Sequence, residues 1–196
     1  MELFALLLAF ALVFLNGFFV ATEFAIVKVR PTRIEELIRQ KKPGATAAQS
    51  LIANLDAYLS ATQLGITIAS LGLGWIGEPA FARLIEGPLN SLGITDPTWI
   101  HSISAAVAFS LISFLHIVVG ELAPKSIALI NAEGVAIFAA YPMRFFYLLF
   151  FPFIWSLNGV SNALLRCFGL RHPAPGEEGE GHSEEELKII LSQARS

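Results

Sequence analysis

The sequence predicts an all-α membrane protein, with three transmembrane helices and further helices lying on the cytoplasmic side of the bilayer. Two observations predict it. Of the 196 residues, 55% are hydrophobic and only 15% are charged, whereas ordinary soluble domains carry about a quarter charged residues. The charges are also segregated. Leu3 to Thr22, Ala57 to Gly77, Pro97 to Gly120 and Phe145 to Leu165 contain no acidic or basic side chain, and as helices each could cross about 30 Å of hydrocarbon.

The net charge of −3 excludes little, because six of the 16 acids lie between Glu177 and Glu186 and the rest of the chain is slightly basic. No broad basic patch interleaved with exposed aromatics occurs, so nucleic acid is not an expected partner. The single cysteine, Cys167, excludes an intrachain disulfide framework and a Cys-based zinc cluster.

The first span, residues 3–27, is too long for a signal-peptide core, and no small-x-small cleavage pattern follows the polar pair Asn16-Gly17. Lys28, Arg30, Arg33, Arg39, Lys41 and Lys42 crowd the next loop, whereas only Arg83 follows span two. The excess places the first loop in the cytoplasm and the N-terminus outside. Within that loop "RPTRIEELIRQ" sets Ile34, Leu37 and Ile38 at helical spacing after Pro31, which suits a helix start. Juxtamembrane helices are expected over about 31–54. Span two, 57–77, runs outward to a folded cap, "GEPAFARLIEGPLNSLGITDPTW", and span three, 98–123, returns to the stretch "GELAPKS" at 120–126.

The fourth apolar segment has Arg144 before it, Arg166 and Arg171 after it, Pro142 and Pro152 along it, and many aromatic residues. Basic flanks on both sides and interface-seeking rings predict interfacial or re-entrant helices at the inner leaflet, over about 134–169, rather than a fourth crossing. The transmembrane domain is therefore expected over residues 1–170. In 171–196, "RHPAPGEEGEGH" reads as a linker, and "SEEELKIILSQARS" opens a helix with a Ser183–Glu186 capping box, leading toward a cytoplasmic domain.

GELAPKS is an unusual way to finish a membrane helix. Pro124 has no N–H, so the carbonyl of Gly120 loses its helical donor, and Glu121 adds a carboxylate in the same turn. Backbone freed at membrane depth must be buried in protein or face a water-filled cavity, and an intramembrane carboxylate marks a functional site. In span one, Asn16 and Glu23, seven residues apart, share a helix face, with Thr22 adjacent. In span two, Ser60, Gln63, Thr67 and Ser70 form a polar stripe. Gly17 permits a close helix approach, and Lys125 lies four residues after Glu121. His101 and His116 read as hydrogen-bonded structural histidines, since neither has a second ligand at metal spacing. Together the spans offer carboxylate, carboxamide, hydroxyl and carbonyl oxygens, which suit Mg²⁺, Ca²⁺ or Na⁺ rather than zinc or copper. The expected cation site comprises Gly120 and Glu121 with Asn16 and Thr22, and with Glu23 or Gln63 as further donors. It requires that no other donor cap the Gly120 oxygen and that Glu121 face inward. Motifs of metalloproteases, serine hydrolases and phosphate-binding loops are missing, so no enzyme is expected.

"NGFFVATEFAIVKVR" at 16–30 together with "GELAPKS" at 120–126 resembles the transmembrane domain of the CNNM/CorC magnesium transporters. The resemblance implies a homodimer in the plasma membrane that moves Mg²⁺, coupled to Na⁺. It also implies that tandem CBS domains follow and bind ATP, with the helix from Ser183 as their lead-in. By position, Asn16, Thr22 or Glu23, Gly120 and Glu121 match the residues expected around the ion, Pro124 the helix-breaking proline, and Lys125 the residue after it. Val20 and Gln63 stand where the family often has a serine and an asparagine, which puts ligation by Gln63 in doubt. A competing expectation is a membrane anchor or scaffold dimer, whose polar stripes only hold helices together while a cytoplasmic domain carries the function.

Overall fold

The computed structural model describes residues 2–94 and 96–169, with side chains from Leu3 onward. Among these residues every regular element is a helix. α1 (Glu2–Lys28) runs unbroken through Asn16-Gly17. α2 (Pro31–Arg39) starts on Pro31, whose missing N–H would have no helical partner there anyway, and buries Ile34 and Leu37. Gly44, at φ 84°, then takes the left-handed turn into α3 (Ala45–Ala53), a conformation that suits glycine because it has no Cβ.

α4 (Leu55–Gly72) passes through a π-helical turn, Leu73–Gly77, directly into α5 (Glu78–Ser91). Much of the expected external cap is thus a continuation of span two, in one apolar helix of 37 residues. The carboxylate of Asp96 accepts from the Thr98 N–H at 2.8 Å and caps α6 (Pro97–Leu115). A second π-helical turn, His116–Leu122, joins α6 to α7 (Ala123–Ile130), and α8 (Ala132–Cys167) follows.

α1 is the central element, packing on α4, on α7 and on both π-helical turns, while α5 packs on α6. Its N-terminal half buries Ala9 and Val13 against Leu73, Phe81, Ala108 and Ile112. Its C-terminal half joins a second core, where Phe19, Ala25 and Ile26 meet residues of α2, α3, α4 and α8. α4 turns a row of small residues, Ala61, Gly65 and Ala69, inward. The Phe19 ring lies across Gly65, where a methyl group would come within 2.5 Å of it. Ring contacts of Phe19 with Phe146 (4.7 Å) and of Tyr58 with Tyr147 (5.0 Å) attach α8.

Four helices are long and apolar enough to cross a membrane, so the protein is a multi-pass membrane protein. The fourth, α8, is a single helix of 36 residues with Pro142 and Pro152 inside it, where several helices were expected over about 134–169. Each proline removes one ladder bond, and apolar membrane helices tolerate that where neighbours re-satisfy the freed groups. Residues Met1–Trp155 form one compact unit. From Ser156 the chain groups separately, and its described part consists of the last turns of α8 and the turn after it. The linker and capping box expected over 171–196 lie outside the described residues.

Candidate functional site

The site forms where α1 crosses the second π-helical turn. Gly17 permits that crossing, because a methyl group there would lie 2.9 Å from Pro124 Cγ and 3.3 Å from the Val119 oxygen. The approach brings Asn16, 2% exposed and so deeply buried, against the turn. Asn16 Nδ2 donates to the Gly120 carbonyl at 2.9 Å, the carbonyl that Pro124 leaves without its α-helical donor. Ser70 Oγ lies 3.2 Å from Asn16 Oδ1 and 3.2 Å from His116 Nε2. A hydroxyl has one proton. If Ser70 gives it to Asn16 Oδ1, the proton on His116 must sit on Nε2 and point at Ser70. The result is a directed chain, His116 to Ser70 to Asn16 to Gly120, in which each linked atom has a partner.

A second polar cluster lies further along α1. Thr22, fully buried, donates to the Phe18 carbonyl at 2.7 Å. Glu23 is half-buried and accepts from Thr62 Oγ1 of α4 at 3.3 Å, a hydroxyl that also lies 2.8 Å from the Leu59 oxygen. Lys125 sits over the Phe24 ring, 4.6 Å from its centroid. Seven residues separate Asn16 from Glu23, or about 10 Å along a helix, and their side chains bond different partners.

The family is decided by comparison with known proteins: the model of the cyclin M transmembrane N-terminal domain, CNNM, matches residues 7–196. The chain belongs to the CNNM family. It is similar to UPF0053 protein YhdT of Bacillus subtilis, at 52% identity over 97% of this chain and 41% of the relative. UPF0053 protein YrkA of the same organism is 47% identical over 93% of this chain and 42% of its own length. The uncharacterized protein Rv1841c of Mycobacterium tuberculosis is 37% identical over 97% and 50%. The chain thus spans about half or less of the length of these relatives.

In this CNNM domain the expected site is only partly assembled. Asn16, Gly120, Gly17 and Pro124 meet, but the Gly120 oxygen is capped by Asn16, contrary to the expectation that it stands free. Glu121 is exposed, because successive residues of a helix point in directions roughly 100° apart and Gly120 takes the side facing α1. Gln63 is likewise exposed, and its neighbour Thr62 faces Glu23 instead. The polar stripe of α4 turns away from α1: Ser60 and Thr67 bond carbonyls of their own helix, and only Ser70 reaches the site. Sequence reasoning undervalued Ser70, His116 and Thr62. For Ser70 and Thr62 the signal was position, each one residue after a member of the row Ala61, Gly65 and Ala69, whose small side chains mark the face that lets α1 approach; His116 lies four residues before Gly120.

Proposed function

We propose that the chain is the membrane part of a magnesium transporter, with the ion as cargo at the crossing of α1 and the second π-helical turn. The observation that carries this reading is the Asn16 amide held against the Gly120 carbonyl. Turned over, that amide would set Oδ1 against the Gly120 oxygen, an arrangement that repels unless a cation lies between the two. The hydrogen-bond chain can reverse with it: Asn16 Nδ2 then donates to Ser70, and Ser70 to His116 Nε2, with the histidine proton moved to Nδ1. The flip gives up the Asn16–Gly120 bond, keeps Asn16, Ser70 and His116 linked, and turns two oxygens toward the ion.

Neutral oxygens alone attract a divalent ion weakly, so a carboxylate has to join them. Glu121 follows Gly120 directly, and a π-helical turn holds one residue more than an α turn. Moving that excess by one residue would rotate the next side chain by about 100° and bring Glu121 toward α1. Thr22, Glu23 and Thr62 form a staging point further along α1. Hard oxygen donors favour Mg²⁺, and Na⁺ is the coupling ion in this reading. The basic loop from Lys28 to Lys42 supports a cytoplasmic position for α2 and α3 and an external N-terminus in the plasma membrane. Arg144 and Arg166 support α8 lying along the cytoplasmic face after three crossings, which keeps the C-terminus cytoplasmic. In the whole protein a homodimer with ATP-binding CBS domains completes the transporter.

Calorimetric titration of Mg²⁺ into the purified protein tests this. Asn16→Leu and Glu121→Ala should each abolish the binding heat, and a Glu121→Ala variant that binds like the parent overturns the proposal. One observation favours the alternative, a membrane anchor or scaffold dimer whose function lies in a cytoplasmic domain: the chain from His116 to Gly120 closes without an ion, as packing contacts between membrane helices do. That alternative expects no Mg²⁺ binding heat in the parent.

A further inference from the structure

A different part of the molecule holds an open cavity of about 710 Å³, bounded by the end of α1, the start of α2 and the junction of α7 with α8. Its cations are Lys28, Arg30 and Arg33. Arg33 is already occupied: its Nε donates to Glu133 at 2.9 Å, and its other guanidinium nitrogen Nη1 pairs with Glu36. These carboxylates hold the Arg33 guanidinium above its ordinary pKa and tie α2 to α8 along the cavity wall. With both acids of the lining engaged in this way, Lys28 and Arg30 have no carboxylate within ion-pairing distance among the described residues.

The backbone adds to this charge. α2 begins beside the cavity on Pro31 with no side-chain cap, and α8 begins on the cavity wall at Ala132, where Asn131 Oδ1 accepts from the Gly134 N–H at 3.1 Å. Helix N-termini carry partial positive charge, and here two of them end at the same space as two unpaired cations. Thr32 and Asn131 add uncharged polar groups to the wall, and the remaining lining is aliphatic. It includes Leu129 and Ile130, and Ile130 is 87% exposed. A free anion would gain nothing from exposed aliphatic side chains, whereas a molecule with a phosphate at one end and hydrocarbon at the other fits both halves. The level fits as well, because the cavity opens where the apolar run of α1 ends in Lys28.

We propose that this cavity binds the phosphate group of an anionic membrane phospholipid, with Lys28 and Arg30 on the phosphate and Leu129 and Ile130 along the upper acyl chain. Such a lipid would brace the α1–α2 bend against the α7–α8 junction. The site is independent of the ion site and stands whether or not the chain transports magnesium.

The test is native mass spectrometry of the detergent-purified protein offered dioctanoyl phosphatidylglycerol and, separately, dioctanoyl phosphatidylcholine. The parent should retain phosphatidylglycerol in preference. Lys28→Gln with Arg30→Gln should weaken its retention roughly 30-fold, from a factor of about five per cation near a membrane surface. Arg39→Gln with Lys41→Gln removes the same charge outside the cavity and should leave retention within about twofold. Equal losses in the two double variants, or no preference in the parent, overturn the proposal. Inorganic phosphate is the competing probe: displacement of phosphatidylglycerol at equal concentration would assign the cavity to the free anion and overturn the lipid, whereas no displacement supports it.

Discussion

Gly17→Ala puts the crossing of α1 and α7 to a direct test. The added methyl group would stand 2.9 Å from Pro124 Cγ and 3.3 Å from the Val119 oxygen, while relaxed carbon–carbon contacts need about 3.5–4.0 Å. Neither neighbour is the free end of a flexible side chain, since one belongs to a proline ring and the other to backbone. The helices must therefore separate by roughly 0.6 Å or more. The Asn16–Gly120 bond, now 2.9 Å, lies one residue away and would stretch toward about 3.5 Å, beyond useful hydrogen-bond geometry. Overpacking costs about 1–3 kcal/mol and the lost bond about 1 kcal/mol, against a gain of up to about 1 kcal/mol because alanine is the better helix former. A net loss of about 1–3 kcal/mol lowers Tm by roughly 3–10 °C in a chain of this size. Thermal melting in detergent, followed by tryptophan fluorescence, measures it. Gly74→Ala is the control, because nothing lies within 4 Å of a methyl group there. The reasoning fails if the two variants melt together.

Asn16→Leu keeps the number and branching of the side-chain heavy atoms but removes the amide donor to the buried Gly120 oxygen, so it should cost about 1–3 kcal/mol in the same melting assay; an unchanged Tm would mean that the amide contributes nothing there. Thr62→Val and Glu23→Gln, alone and together, form a double-mutant cycle with an expected coupling of about 0.5–1.5 kcal/mol. Zero coupling would show that the 3.3 Å contact is proximity without a bond. Gly65→Ala should destabilise strongly, because its methyl group would lie 2.5 Å from the Phe19 ring, and Phe19→Leu in the same chain should recover part of the loss; additive effects would refute the packing described.

The fold was readable where charge and periodicity carry it. The first three apolar runs became membrane-length helices, and Pro31 starts α2 as its chemistry suggests. Over 134–169 several helices were expected and one runs through both prolines, because each proline removes only one ladder bond. GELAPKS advertised a disturbed helix correctly, and the disturbance is a π-helical turn, His116–Leu122. What sequence could not decide was the rotation of that turn. Gly120 and Glu121 are adjacent in the chain but face different sides, and one residue of register decides which of them meets α1. The same ambiguity exchanged Gln63 for Thr62 on α4. Composition names the donors, and only helix phase says which of them converge.

In the transporter reading proposed above, the closed hydrogen-bond chain at Gly120 bears on how a cargo site is built among apolar helices. A bare carbonyl buried there would cost about 1–3 kcal/mol, and an empty site would be a strained state that holds any captured ion too firmly. The Asn16 cap removes that cost from the empty state, so an arriving ion must displace a hydrogen bond worth about 1–1.5 kcal/mol, which lowers its affinity roughly tenfold. Weaker holding is what release on the far side requires. The satisfied network is therefore what a site that must empty itself should contain. It parts from simple packing glue at one point: the reversed orientation of the Asn16 amide, with Oδ1 facing Gly120, keeps the contact to Ser70 but gives up the bond to Gly120, so a cation is needed to populate it.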